Sequence, residues 1–200
     1  MRSLVVWICL TTVAYADEAP KLALVKKGVE IDAGEMGRFV LEAPVLVTGG
    51  NQNMKPNFEV LGERGEARYA NGAVFQIELE GNEIRCSFKD MPQDVKGSFK
   101  FIMEIPISFS EGGKFQLGSK DLQEFPMDAT GEQFLVSGTN SNFSFADSDG
   151  HGLTLIVQTH WFGLQDNRMF QTKSFSYQFL IDPQAVSGTD FTIRVEPFSP

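Results

Sequence analysis

Apolar and polar residues alternate with a period of two along most of the chain, the spacing of strands with one dry and one wet face. Leu153, Leu155 and Val157 alternate with Thr154, Ile156 and Gln158, and Phe175, Tyr177, Phe179 and Ile181 alternate with Ser174, Ser176, Gln178 and Leu180. Phe99, Phe101, Met103, Ile105 and Ile107 form a third series with Lys100 and Glu104 opposite, so residues 98–109 read as one long strand. No run of ten residues holds a convincing helical spacing, and no internal repeat points to a propeller or solenoid.

The sharpest local prediction is a hairpin over residues 73–89 with Gly81-Asn82 as a two-residue turn. That turn sets Leu79 opposite Ile84, Ile77 opposite Cys86 and Phe75 opposite Phe88, with Glu78 facing Arg85 on the outer side. Residues 38–48 read as two short strands bent at Pro44, residues 49–53 as a loop, and residues 58–61 as a weaker strand before a charged turn at Gly62-Glu63-Arg64-Gly65. Phe143 and Phe145 share a face with Leu155 and Val157 if the loop around Asp149-Gly150 has an odd number of residues. Short strands follow at residues 115–117 and 133–136, and residues 190–197 close the chain. A dozen or more short strands predict an all-β fold, a two-sheet antiparallel sandwich of jelly-roll type, with residues 29–200 as one domain behind a flexible leader at 17–28.

Composition adds the compartment. Residues 1–16 carry Arg2, an apolar run from Leu4 to Leu10 and a closing Ala14-Tyr15-Ala16, the three parts of a secretory signal, so the protein is expected to be secreted or periplasmic. Loss of that leader removes Arg2 and Cys9, taking the formal charge from −9 to −10 and leaving Cys86 as the one cysteine. With no internal disulfide available, the fold rests on its core, and the 18 phenylalanines, all beyond the leader, suit the space between stacked sheets. An acidic chain disfavours nucleic acid and anionic membranes, and nothing after the leader is long and apolar enough to span a bilayer.

Candidate chemistry gathers between Asp147 and Asp182. Asp147-Ser148-Asp149-Gly150 opens like a calcium loop, but the later ligands are missing, and a hairpin turn needs the same residues for backbone reasons; a plain turn and no cofactor are expected. Gln158 and His160, two apart, would share one face of a strand, where an amide and an imidazole can hold a sugar carboxylate and move a proton with Tyr177 as partner. The triplet Gln158-Thr159-His160 resembles the Gln-x-His motif of jelly-roll polysaccharide lyases of the alginate lyase kind, which implies lyase chemistry at His160. The family's arginine-glutamate strand motif and the lysine and glycine around its tyrosine are absent here, and Tyr177 shares its face with Phe175, Phe179 and Ile181 as a core ring would.

A second constellation is Trp161 with Gln165, Asp166, Asn167 and Arg168, the ring and planar polar groups of a sugar site. The alternative is that Trp161 fills the core and Asp166-Asn167 turns the chain. This segment also resembles secreted β-sandwich modules of polysaccharide-degrading systems. No serine elbow, phosphate loop, dinucleotide fingerprint or histidine-rich zinc set is present. Three roles stay open: non-catalytic glycan binding near Trp161, which these residues favour; a glycan-degrading enzyme using His160; and a structural or interaction domain of a surface assembly.

Overall fold

Period-two alternation becomes strands throughout the computed structural model, which describes residues 19–49, 52–92, 97–139, 142–183 and 190–200. In chain order they are β1 (Lys21–Val25), β2 (Gly28–Asp32), β3 (Arg38–Glu42), β4 (Val45–Thr48), β5 (Gln52–Met54), β6 (Asn57–Leu61), β7 (Arg64–Arg68), β8 (Val74–Glu80) and β9 (Glu83–Asp90). The second half supplies β10 (Gly97–Pro106), β11 (Lys114–Leu117), β12 (Gln123–Glu124), β13 (Phe134–Gly138), β14 (Phe143–Ala146), β15 (Gly152–Ile156), β16 (Trp161–Asp166), β17 (Ser174–Ile181) and β18 (Asp190–Phe198). The first sheet runs β1-β2-β3-β10-β17-β16-β13, with β4 beside β10 and β5 beside β4; the second runs β12-β11-β14-β15-β18-β9-β8-β7-β6. Each has nine strands, all pairs are antiparallel, and the two pack as a sandwich.

The core is the set of inward residues that the alternation marks. Phe75, Phe99, Phe101, Phe143, Phe145, Phe175 and Phe179 are fully buried. Ring pairs tie one sheet to the other: Phe75 stacks on Phe99 with centroids 5.4 Å apart, Phe143 on Tyr177 at 4.2 Å, and Phe39 meets Phe145 edge-on at 5.2 Å. The β8–β9 register is the one the turn length dictates, with Leu79 opposite Ile84, Ile77 opposite Cys86 and Phe75 opposite Phe88. Glu78 does stand opposite Arg85, but the Arg85 guanidinium forms its ion pairs with Glu80 and Glu83. Cys86 is buried, and burial pushes its thiol up, as befits a packing residue.

Pro44 separates β3 from β4, and both strands then lie along the same side of β10. Residues 147–151 between β14 and β15 number five, an odd count, so Phe143 lies opposite Leu155 and Phe145 opposite Leu153.

Several boundaries differ from expectation. Residues 21–25 are not a flexible leader: β1 pairs with β2 along its whole length, because Leu22 and Leu24 alternate and pack against the core. Gln52–Met54 forms a strand rather than a loop, and the charged turn is shorter than expected, since β7 begins at Arg64. The long strand β10 ends at Pro106, and Ile107–Ser110 turns as a 3-10 helix. The sandwich is also broader than the eight strands of a jelly roll. The secretory leader expected at residues 1–16 lies outside the described residues, and among the described ones no helix is long and apolar enough to cross a membrane.

Candidate functional site

β16 sorts its side chains by parity. Phe162 and Leu164 enter the core, while Trp161, Gly163 and Gln165 face outward, with Trp161 and Gln165 half-buried. Register places the outer face in rows across the sheet: Trp161, Leu180 and Lys100; then Ser137, Gly163, Gln178 and Ile102; then Phe134, Gln165, Ser176 and Glu104. Gly163 explains how Trp161 lies. A Cβ at position 163 would stand 2.8 Å from Cη2 and 2.9 Å from Cζ2 of Trp161 and 2.8 Å from Cδ1 of Phe134, so the benzo edge of the indole rests where any larger residue would put carbon. Phe134 meets the indole at 82° with centroids 5.2 Å apart and holds it from the side.

Beside this aromatic corner runs a chain of neutral amides. Gln178 Nε2 donates to Gln165 Oε1 at 3.1 Å and to Ser176 Oγ at 3.0 Å, and Gln165 Nε2 donates to Asn167 Oδ1 at 2.7 Å. Asn167 Nδ2 in turn donates to Ser174 Oγ at 3.1 Å, and Gln133 Nε2 reaches Gln165 Oε1 at 3.5 Å. These bonds hold Gln165 and Gln178 in fixed orientations on the outer face.

Asp166, Asn167 and Arg168, which sequence reasoning set beside Trp161 as ligand groups, are engaged within the fold instead. Asp166 is fully buried and accepts from Arg168 Nε at 2.8 Å and Nη2 at 2.7 Å. Arg168 also donates to the carbonyls of Pro126, Met127 and Asp128, and its guanidinium lies 5.0 Å from the Phe175 ring centroid. Burial alone would raise the Asp166 carboxyl, but the hydrogen bonds and charge of Arg168 outweigh it and hold the group below its ordinary value. Asn167 is buried under the 3-10 turn Asn167–Phe170. Of the five residues in that constellation, Trp161 and Gln165 remain on the outer face; Phe134, Gly163 and Gln178 join them from the rows. The sequence signal for Gly163 was its place two residues after a strand tryptophan, whereas Phe134 and Gln178 come in through strand pairing, which no local spacing marks.

The Gln158-Thr159-His160 triplet is not on a strand. β15 ends at Ile156 in the second sheet and β16 begins at Trp161 in the first, so residues 157–160 cross between the sheets. Gln158 and His160 are exposed along this crossing, and the His160 N–H donates to the Leu180 carbonyl at 2.9 Å. Tyr177 is fully buried on β17, stacked on Phe143, and burial pushes its phenol up. With no solvent access, its hydroxyl cannot meet a substrate beside His160. That hydroxyl has no hydrogen-bond partner among the described residues. Tyr177→Phe is therefore expected to leave stability unchanged or raise it by up to about 1 kcal/mol in urea unfolding, whereas a loss of more than about 1 kcal/mol would reveal a hidden partner.

Asp147 forms a side-chain turn: its Oδ1 accepts from the amides of Asp149 and His151, both at 3.0 Å. Its Oδ2 lies 3.4 Å from His151 Nδ1, and His151 Nε2 lies 3.2 Å from Glu35, so the histidine bridges two carboxylates beside a cleft of about 720 Å³ lined by Pro20, Asp32 and Leu153. Among the described residues no group of three or more His, Cys, Asp or Glu side chains is placed to hold a metal ion.

No protein-family model matches the sequence, and no curated protein sequence matches it. In structure the chain is similar to parts of three larger proteins. One is the alpha-N-acetylgalactosaminidase of Bifidobacterium bifidum, with a TM-score of 0.49 and 10% identity over 86% of this chain and 33% of that one. Another is a GH31 family sulfoquinovosidase from E. rectale, with a TM-score of 0.46 and 9% identity over 88% and 32%. The third is the family GH92 inverting mannosidase of Bacteroides thetaiotaomicron, with a TM-score of 0.42 and 8% identity over 86% and 24%. The chain thus spans a third or less of the length of each.

Proposed function

We propose that the protein is an exported, non-catalytic carbohydrate-binding β-sandwich whose ligand lies on the outer face of the first sheet at Trp161. The observation that carries this reading is the indole seated on Gly163, outside the core, beside the oriented amides of Gln165 and Gln178. A half-buried ring offers the apolar face of a pyranose a rigid surface at small entropic cost, and planar amides match its hydroxyls. Catalysis finds less support, because Tyr177 is sealed in the core and His160 stands on the inter-sheet crossing without it.

Binding of the chain from Asp17 onward to a glycan array, with Trp161→Ala as control, tests the reading. Trp161→Ala is expected to weaken any glycan signal at least about thirty-fold, the effect of removing a ~2 kcal/mol aromatic anchor, while unfolding stability stays within about 1.5 kcal/mol of the parent. Trp161→Tyr, which keeps a ring, is expected to retain most of the signal. Absence of binding to every glycan, or binding indifferent to Trp161, would remove the proposal.

A further inference from the structure

The groups around Trp161 also discriminate between kinds of glycan, on the reading that this face binds one. An amide side chain both donates and accepts, as a sugar hydroxyl does, so Gln165 and Gln178 suit neutral sugars. Gln178 Oε1 accepts no hydrogen bond among the described residues, although its Nε2 is oriented by two, so a fixed acceptor faces outward. A uronic acid instead presents a carboxylate on every ring and calls for arginine or lysine. Lys100 is the one cation on these rows, and Glu104 stands on the same strand and the same face. Arg168, the first Lys or Arg after Trp161 along the chain, is committed to Asp166 and three carbonyls. The chain's formal charge of −9 opposes an anionic polymer further. From β13 to β10 the face crosses three inter-strand spacings, roughly 14 Å, more than a single ring covers.

We propose that this face takes a neutral glycan chain laid across β13, β16, β17 and β10, with one ring on Trp161 and hydroxyls on Gln165 and Gln178, and that it excludes uronic-acid polymers. The test is affinity electrophoresis of the chain from Asp17 onward in gels containing mixed-linkage β-glucan, galactomannan, alginate or polygalacturonate. Retardation is expected with a neutral polymer and with neither polyuronate; it disappears in Trp161→Ala and weakens about five- to ten-fold in Gln178→Ala, the effect of one lost hydrogen bond. Thermal unfolding of both variants near the parent temperature ties these losses to the site rather than the fold. Retardation by alginate or polygalacturonate that still depends on Trp161 overturns the neutral class and leaves the platform standing. Full binding by Gln178→Ala overturns the role of the amide. Retardation by none of the four polymers, or retardation unchanged in Trp161→Ala, overturns both the ligand class and the platform.

Discussion

Arg168→Ala is expected to destabilise the protein by about 3–5 kcal/mol, among the largest effects of any single change outside the aromatic core. The substitution strands the fully buried Asp166 carboxylate and frees the carbonyls of Pro126, Met127 and Asp128, all of which Arg168 now satisfies. It also uncovers the Phe175 ring, on which the guanidinium sits. Most of the loss comes from an uncompensated charge rather than from a missing attraction, so Asp166→Asn in the Arg168→Ala background is expected to recover part of it. The pair also shapes the acid limb of the stability curve. Because Arg168 lowers the folded-state carboxyl of Asp166 below its ordinary value of 3.8, its contribution is fully present above that value. It fades as pH falls below about 4 and through the folded-state value. Urea midpoints measured from pH 7 down to pH 3 should therefore fall more steeply for the parent than for Asp166→Asn, and parallel curves would show that the carboxylate is not held this way.

This clamp marks the limit of what residue patterns reveal. Inner and outer positions on β8, β9, β10 and β17 were legible, because a period of two assigns each side chain to a face and a two-residue turn at Gly81-Asn82 leaves one register. The strand β7 was not, because its buried members are Gly65, Glu66 and Ala67; Glu66 is held by Arg68 and by Gln76 Nε2 at 2.9 Å rather than by apolar contact. The strand β1 escaped because only Leu22 and Leu24 alternate before two lysines, a signal too short to separate a strand from a leader.

The candidate site was half legible for a related reason. A tryptophan followed by a polar turn suggested a sugar platform, but which polar groups face outward depends on where β16 starts and on partners far along the chain. Starting at Trp161, parity sends Asp166 toward the core mouth, and the loop at 126–128, about forty positions away, claims Arg168. Gln178 and Phe134 arrive from β17 and β13 through register alone, which no local spacing records.

The core itself can be challenged through Phe101→Ala, with an expected loss of about 3–5 kcal/mol. Phe101 is fully buried, stacks on Phe179 with centroids 4.8 Å apart and an interplanar angle of 7°, and meets Phe75 at 5.8 Å and Phe191 at 6.0 Å. It therefore joins neighbouring strands of the first sheet to β8 and β18 of the second, and truncation leaves a void that pleated backbone on both sides cannot close. Phe101→Leu, which keeps most of the volume, should lose less than half as much. Cys86 supplies the readout: it is the one cysteine after residue 16, it lies in the same core, and burial both hides its thiol and pushes its pKa up. Thiol labelling under native conditions thus requires the sandwich to open, and where opening and closing are fast its rate follows the open population. A loss of 3–5 kcal/mol in Phe101→Ala corresponds to labelling roughly 150- to 5,000-fold faster than in the parent, with Phe101→Leu between them. Labelling that is already fast in the parent, or that fails to respond to Phe101→Ala, would mean that Cys86 and Phe101 do not share one cooperative core.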